Sequence, residues 1–286
     1  MSAYIIDKII RKFYRIDLKK TEKWLKDNKK NKDKYHIPYF LIFPRKMKTK
    51  KYEDMIYFEM FPKNNNKTIL YMHGGGYINN FLVLHWSFLI KLSKKGGYGV
   101  VAPNYPLLPK YSYRQSNNKM LSFYKYYSDN HDMKDVVLMG DSAGGGFALS
   151  LLIQAKRLNM PLPGKVVLIS PFVDVIGGNK KLSDKDAIVD YDAVQLIGKA
   201  WADGGDPKKP EISPLYGDLD GLPPIDIYVG TNEILYDDNI KLYKKLKSAG
   251  NEVQIHIGKN LGHVYPIYPL PCARSSIKSI KNFIDK

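Results

Sequence analysis

A serine flanked by glycines, between an apolar run and a stretch of small residues, constrains this chain more than any other feature. The motif GDSAGG occupies residues 140–145, an apolar run occupies 136–139, and we predict a helix over 143–155. A serine at such a strand-to-helix junction lies on a sharp turn that exposes its hydroxyl group. The flanking glycines let strand and helix pass closely, and the helix N-terminus presents free N–H groups. On its own, the motif is also compatible with an incidental serine in a glycine-rich turn.

A second glycine-rich motif, HGGGY at residues 73–77, directly follows the strand-like run 68–72. Three glycines after a strand allow the backbone N–H groups to turn inward toward an anion. A Walker phosphate loop is excluded because no GK[ST] follows. Beside a serine elbow, such a loop is typical of acyl transfer, with N–H donors near the attacked carbonyl. We therefore predict Ser142 as the nucleophile and the N–H groups of Gly74, Gly75 and Ala143 as the oxyanion hole.

Two further loops each place a polar group after a strand-like run. GTNEILYDD, residues 230–238, follows the apolar run 225–229, and LGHVY, residues 261–265, follows the alternating run 253–257. The order Ser142, Glu233, His263 is nucleophile, acid and histidine, which is the chain order of α/β-hydrolases.

These motifs, together with SPLYGDLDGLPP at residues 213–224, resemble those of the hormone-sensitive-lipase-like group of serine esterases. The resemblance runs from about residue 68 to the C-terminus, three-quarters of the chain. It implies an α/β-hydrolase fold, with a mostly parallel central sheet, helices on both faces and a helical cap. It also implies a catalytic triad that needs no metal and no organic cofactor.

The identity of the acid has an alternative. Most relatives carry aspartate where Glu233 stands, although glutamate serves the same purpose with one more methylene group. Asp237 is the runner-up acid, but it and Asp238 lie at the start of the next predicted helix, where carboxylates are favoured as caps. Asp226 lies inside a strand, too early in the chain. Glu233 is therefore the prediction.

Of the six histidines, only His263 lies in the expected loop and order. His256 falls within a strand, and His73 belongs to the oxyanion loop, where we expect it to hold the loop's shape. A neutral His263 would take the proton of Ser142, so activity is expected to fall as pH drops through about 6.5.

The rest of the chain alternates strands and helices, except in two places. Residues 52–62 alternate like a half-buried strand, and 62–66 is predicted as a turn into strand 68–72, giving an antiparallel hairpin at one edge of the sheet. Residues 175–212 are polar and rich in glycine and proline around a helix predicted at 184–202, which is typical of a cap insertion. Trp24, Tyr191 and Trp201 are candidate pocket walls. The predicted units are an N-terminal helical cap segment at 1–50, a catalytic core at 51–174 and 213–286, and a cap insertion at 175–212.

The chain is strongly basic, with a net charge of +17, and most of the excess is N-terminal. Residues 1–51 hold 17 Lys and Arg against 5 Asp and Glu, and a helical stripe of apolar residues begins at Ile5. A cap helix over the pocket is the preferred interpretation, and weak peripheral contact with an anionic membrane through residues 1–20 is the minority one. Nucleic-acid binding is discounted because no recognisable module is present. The single cysteine, Cys272, and the lack of a signal-like or membrane-spanning run favour a cytoplasmic protein.

The expected function is cleavage of short-chain carboxylic esters through an acyl-enzyme intermediate, with a small-molecule ester as the partner. An amide or N-acyl hydrolase, of the deacylase or formamidase type, would use the same groups. A non-catalytic small-molecule-binding protein of the same fold is the less favoured alternative. The oligomeric state cannot be read from the sequence.

Overall fold

A computed structural model of the chain describes residues 14–27, 47–62 and 65–286. Within them, eight strands form a single sheet in the order β1-β2-β4-β3-β5-β6-β7-β8. Strands β3 to β8 run parallel, and β2 pairs antiparallel with both β1 and β4. The strands are β1 (Lys48–Tyr52), β2 (Met55–Met60), β3 (Thr68–Met72), β4 (Gly99–Pro103), β5 (Val136–Asp141), β6 (Lys165–Ile169), β7 (Ile225–Gly230) and β8 (Val253–Gly258).

Helices follow most of the parallel strands, as right-handed crossover connections require. Helix α2 packs on α7, α3 packs on α4, and α4 contacts β3, β5 and β6. This mostly parallel sheet covered by helices confirms the predicted α/β class. The helices are α1 (Leu18–Lys26), α2 (Val83–Gly96), α3 (Tyr113–Asn130), α4 (Ser142–Arg157), α5 (Tyr191–Ala202), α6 (Tyr236–Ser248) and α7 (Pro271–Asp285).

The central strands β3, β4 and β5 are buried at every residue. Strands covered on both faces need apolar side chains on both faces, which explains why these segments appear in the sequence as continuous apolar runs. Strand β1, at one edge of the sheet, is instead lysine-rich and exposed, which discourages pairing with another chain. The loops at the carboxyl ends of the parallel strands therefore lie together on a rigid support.

The prediction that the strand within residues 52–62 forms a hairpin with strand 68–72 is wrong, because it pairs with other strands. Residues 55–60 pair with β1 on one side and with β4 on the other, so β4 separates them from β3. The tight turn lies at Glu53 and Asp54, and Glu53 has a positive φ of 52°. Alternating polarity shows which side chains a strand buries, but it does not identify the neighbouring strand. The connection between β1 and β2 is only two residues long, and so short a turn joins two adjacent antiparallel strands.

Residues 175–212 lie between β6 and β7 in the chain and contain one α-helix, α5. This helix begins at Tyr191, seven residues later than predicted, because residues 180–190 form a 3₁₀ turn and an irregular loop. Asp190 is its N-cap and accepts a hydrogen bond from the Ala193 amide at 3.1 Å. The junction between the loop and the helix is therefore fixed by a specific side-chain hydrogen bond rather than by the backbone hydrogen bonds of a longer helix.

The N-terminal segment meets this loop. Ile16 forms an isolated parallel bridge with Val189, and α1 packs on α5. The apolar stripe predicted from Ile5 lies outside the described residues, as do most of residues 1–50 and the side chain of Cys272. None of the helices in the described part of the chain combines the length and apolar character that a bilayer span requires.

Candidate active site

Ser142 lies on the turn between β5 and α4, and its φ of +51° is in the left-handed region. A non-glycine residue there carries local backbone strain, which the close passage of the surrounding chain holds in place. A Cβ on Gly140 would lie 2.5 Å from the Gly144 carbonyl oxygen, and one on Gly144 would lie 2.2 Å from the Met72 carbonyl oxygen. Both positions around the serine therefore require glycine, as the sequence predicted.

The carboxylate of Asp141, beside the serine, is buried and ties the elbow to the neighbouring strand. Its Oδ1 accepts hydrogen bonds from the Tyr71 hydroxyl at 2.6 Å and from the Gly74 amide at 2.8 Å. Its Oδ2 lies 3.3 Å from His85 Nε2. Burial raises the pKa of Asp141, but His85, Tyr71 and the Gly74 amide outweigh burial and lower it overall. Asp141 is thus an ionised anchor for the glycine-rich loop.

The glycine-rich loop after β3 corrects one predicted oxyanion donor. Because the Gly74 amide donates to Asp141, it is not available to a developing oxyanion. In the described part of the chain, the amides of Gly75 and Gly76 donate to no backbone acceptor. The Ala143 amide is in the first turn of α4, where helix geometry leaves N–H groups unpaired. Local sequence could not distinguish Gly74 from its neighbours, because the acceptor that occupies its amide lies 67 residues away.

His73 is fully buried and stacks on Tyr105, with ring centroids 4.5 Å apart. Its Nδ1 lies 2.8 Å from the Gly74 carbonyl oxygen, and the Tyr105 hydroxyl donates to the His73 carbonyl oxygen at 2.5 Å. Burial, helped by nearby His85, lowers the pKa of His73 to about 3. A histidine that stays neutral and packed in this way holds the loop, as the sequence predicted.

The structure brings the three predicted side chains together from distant loops. His263 Nε2 lies 2.8 Å from Ser142 Oγ, within hydrogen-bond distance. On the other side of the ring, Nδ1 lies 3.7 Å from Glu233 Oε1, which is longer than a hydrogen bond. Both His263 and Glu233 are buried. Contacts of this type are often long in unliganded sites and shorten when substrate is bound.

Ser170, which directly follows β6, joins Glu233 to the loop that carries His263. Its hydroxyl donates to Glu233 Oε2 at 2.8 Å and accepts from the Val264 amide at 3.0 Å. Glu233 Oε2 also accepts from the Gly230 amide at 3.1 Å. Sequence reasoning missed Ser170, although one signal pointed to it: a polar residue ending a parallel strand lies at the same edge as the other loops.

The electrostatics of His263 favour its charged form. Burial lowers the pKa of His263, but the neighbouring carboxylates of Glu233, Asp186 and Asp141 outweigh burial, and the net shift is upward from 6.5. The stability that this charge contributes is present at pH values below 6.5 and is lost as pH rises through the folded-state pKa. The imidazolium form is thus supported from three chain segments.

Beside Ser142 lies a cleft of about 50 Å³. Its walls are mainly apolar, and they come from the core, from the N-terminal segment and from the loop before α5. The described residues in the walls include Ile16, Leu82, Leu84, Ile188, Val189, Val264, Ile267 and Tyr268. Because one water molecule needs about 10–15 Å³ by the same measure, the space corresponds to a few water molecules.

Asp186, in the loop before α5, is a second buried carboxylate near the site. It is fully buried, and its Oδ2 accepts a hydrogen bond from the Ile234 amide at 3.0 Å, next to Glu233. Burial, helped by the nearby Glu233 carboxylate, raises the pKa of Asp186 overall, although His263 and the backbone N–H donors oppose the shift. The irregular segment around Asp186 gave no sequence pattern that could have identified it.

Other predicted residues lie apart from Ser142. Asp237 is exposed in the first turn of α6, and its Oδ2 accepts from the Asn179 side chain at 2.6 Å. His256 lies in β8, 2.9 Å from the buried Asp226. Trp201 is buried and stacks on Tyr77, with ring centroids 3.8 Å apart, so it packs α5 against the glycine-rich loop and does not line the cleft beside Ser142.

A comparison with family models matches residues 69–267 to a family described as having the alpha/beta hydrolase fold. An esterase from Acinetobacter venetianus is 28% identical, over 75% of this chain and 73% of its own length. An acetyl-hydrolase from Streptomyces hygroscopicus is 29% identical, over 78% of this chain and 76% of its own length.

Solved structures give the same likeness across the fold. A candidate esterase from Staphylococcus aureus is 29% identical, covers 95% of both chains and superposes with a TM-score of 0.89. An esterase from the bacterial hormone-sensitive lipase family is 27% identical, covers 83% of both chains and gives a TM-score of 0.78.

Proposed function

We propose that this chain, which belongs to the alpha/beta hydrolase fold family, cleaves short-chain carboxylic esters. Within that family it belongs with the hormone-sensitive-lipase-like esterases. The observation that carries the proposal is the 2.8 Å contact between His263 Nε2 and Ser142 Oγ, with Glu233 on the far side of the ring. Ser142 is the nucleophile, His263 the base and Glu233 the acid that orients it.

In the proposed reaction, neutral His263 accepts the proton of Ser142 as the serine oxygen attacks the ester carbonyl. The negative charge of Glu233 stabilises the imidazolium that forms. The imidazolium then protonates the departing alcohol, leaving an acyl group on Ser142. A water molecule, deprotonated by His263, attacks this acyl-enzyme, and the imidazolium then protonates Ser142 Oγ as the acid is released. The original serine proton leaves with the alcohol, a proton from water replaces it, and the reaction uses protein groups and water alone.

Backbone amides hold the oxyanion in this proposal. Gly75 and Ala143 are donors, and Gly76, whose amide has no backbone acceptor among the described residues, replaces Gly74 as the third. The ionised Asp141 fixes the loop that carries these amides. Such donors act because they are already oriented before charge develops, and each contributes about 3–4 kcal/mol at most.

The small apolar cleft supports a short acyl group. A volume of about 50 Å³ suits an acetyl or propionyl group better than a long chain. Apolar walls also disfavour a charged acyl chain, because burying an unpaired charge is costly. The expected ranking with p-nitrophenyl esters is therefore acetate and propionate above octanoate.

Ser142→Ala tests the nucleophile. We expect the variant to lose turnover of p-nitrophenyl acetate and stoichiometric labelling by a fluorophosphonate. Retained turnover with an unchanged fold would reject Ser142. Absence of both labelling and turnover of esters and anilides in the wild type would instead favour a binding protein. Turnover of an anilide at a rate comparable to the matching ester would favour the amide hydrolase alternative.

A matched pair of substitutions tests the acid. Glu233→Gln keeps the shape of the side chain but removes its charge, and we expect kcat/KM to fall by at least about 100-fold. Asp237→Asn makes the same change at the runner-up residue, which is exposed and bonded to Asn179. We expect it to retain most of the activity. The reverse result would identify Asp237 as the acid.

We also propose the domain division given above, with residues 1–50 and 175–212 capping a core of residues 51–174 and 213–286. The contribution of Ile16, Ile188 and Val189 to the cleft walls supports it. A cytoplasmic location stays a prediction that depends on the single cysteine. The weak membrane contact of residues 1–20 also stays a prediction, and liposome co-sedimentation at low salt tests it.

A further inference from the structure

We infer that Asp186 is a positioning residue that joins the cleft wall to the loop carrying the catalytic acid. This inference rests on the proposed function, because it assigns a role within the same site. Asp186 contacts neither Ser142 nor His263 by hydrogen bond, so it acts through the groups that it holds.

The first step is the set of hydrogen bonds to the carboxylate of Asp186. Oδ1 accepts from the Ile188 amide at 2.9 Å and from the Val189 amide at 3.0 Å, and both residues line the cleft. Oδ2 accepts from the Ile234 amide at 3.0 Å. One buried side chain therefore fixes two residues of the wall and the residue after Glu233.

The second step is the charge state. All three hydrogen bonds come from backbone N–H donors, so the carboxylate acts only as an acceptor. An ionised carboxylate fits this arrangement, and hydrogen bonds to ionised groups are stronger than neutral ones. A buried charge held by three donors is thus placed near His263.

The third step is the attachment of the N-terminal segment to the same point. Arg15 Nη1 donates to the Asp186 carbonyl oxygen at 2.6 Å, and Arg15 Nη2 lies 3.6 Å from Asp190 Oδ2. The Ile16 amide donates to the Ile188 carbonyl oxygen at 2.7 Å. The cleft wall at Ile188 is therefore held at its amide by the Asp186 carboxylate and at its carbonyl oxygen by the Ile16 amide.

The consequence is that the wall and the acid loop move together. If Asp186 loses its charge or changes length, the Ile188 and Val189 wall loosens and the Ile234 amide loses its acceptor. The selection of short acyl chains then weakens, and the acid is displaced from His263. A displacement of about 1 Å at a catalytic group can cost about 100-fold in rate.

The test compares Asp186→Asn with Asp174→Asn. Asp174 is also a buried carboxylate, and it accepts from the Ile176 amide at 3.1 Å and the Tyr216 hydroxyl at 2.7 Å. It contacts no residue of the cleft wall named above. Both substitutions keep size and remove one buried charge, so the pair separates a specific role of Asp186 from general destabilisation.

We expect Asp186→Asn to lower kcat for p-nitrophenyl acetate by about 10-fold or more and to reduce the preference for acetate over hexanoate. Asp174→Asn should change neither. The charged groups around His263 are Glu233, Asp186 and Asp141, and the cleft also holds His85 and the hydroxyl groups of Tyr14 and Tyr268. Removing the charge of Asp186 should therefore move the titration of His263 to lower pH by about 0.5–1 unit, measured by NMR of the imidazole.

The NMR titration does not depend on turnover, so it tests the inference even if no ester is cleaved. Failure of wild-type turnover and fluorophosphonate labelling would reject the proposed function alone. A folded Asp186→Asn with unchanged titration and unchanged acetate-to-hexanoate ratio would overturn the inference. If Asp186→Asn does not fold, Asp186→Glu keeps the charge and lengthens the side chain. Wild-type kcat and chain-length preference in that variant would also overturn it.

Discussion

Ser170→Ala gives the sharpest test of how the acid and the histidine loop are held together. The substitution removes one hydroxyl group from a fully buried side chain and leaves every other atom in place. The φ of +45° at this residue stays equally strained, because alanine also carries a Cβ. The effect therefore reports two lost hydrogen bonds, from the hydroxyl to Glu233 Oε2 and from the Val264 amide to the hydroxyl.

The expected magnitude follows from the two partners. A hydrogen bond to an ionised group is worth about 1.5–3 kcal/mol, and a buried amide left without an acceptor costs about 1–3 kcal/mol. We expect the free energy of unfolding to fall by about 3–5 kcal/mol, which corresponds to a decrease in Tm of about 6–10 °C. Because both the acid and the histidine loop lose an anchor, kcat should fall by about 10- to 100-fold.

The control is Ser93→Ala, which removes another buried hydroxyl. Ser93 donates to the Tyr98 carbonyl oxygen at 2.8 Å and lies in α2, in none of the loops that carry the triad. It should lose about 1 kcal/mol of stability and little activity. Calorimetry and p-nitrophenyl acetate kinetics measure both variants. If the Ser170 and Ser93 variants lost the same amount of Tm and had the same kcat, the claim that Ser170 positions Glu233 and the loop of His263 would be refuted.

Two further predictions follow from the same geometry. On the acidic side of the pH profile, kcat/KM should reach half of its maximum at a pH above 6.5. The carboxylates around His263 raise its pKa, and only the neutral ring acts as a base. A midpoint below 6.5 would contradict this. Gly144→Ala should destabilise the fold by about 3 kcal/mol or more, because its Cβ would lie 2.2 Å from the Met72 carbonyl oxygen. Gly221→Ala, in open space with a φ of +59°, should cost only about 1 kcal/mol. Urea unfolding compares the two, and equal costs would show that the elbow tolerates a side chain.

Much of the site was predictable because its parts are local motifs. Gly140 is required by its contact with Gly144, and Gly144 by its contact with the Met72 carbonyl oxygen at the end of the neighbouring strand β3, and both lie within one recognisable motif. Likewise, Glu233 follows the buried strand β7 and His263 follows the edge strand β8, and the sequence shows the first as an apolar run and the second as an alternating run. The carboxyl ends of parallel strands gather at one edge, so the order of the loops was enough to predict which side chains meet.

The errors lie where a partner is far away in the chain. The Gly74 amide is occupied by a carboxylate 67 residues away, and the strand at 55–60 pairs with β4 rather than with the strand that follows it. Neither the free state of an amide nor the identity of a neighbouring strand produces a pattern in the adjacent residues of the sequence. The packing of distant segments against one another decides both.

By itself, the sequence determined the strand-to-helix elbow, the glycine-rich loop and the loops that carry Glu233 and His263, because steric demand and hydrophobic periodicity act over short stretches. Only the tertiary structure decided which amides remain unpaired and that Ser170 and Asp186 connect the loops. These depend on distances of about 3 Å between groups separated by tens of residues, and such distances are set by the packing of the whole sheet and cap.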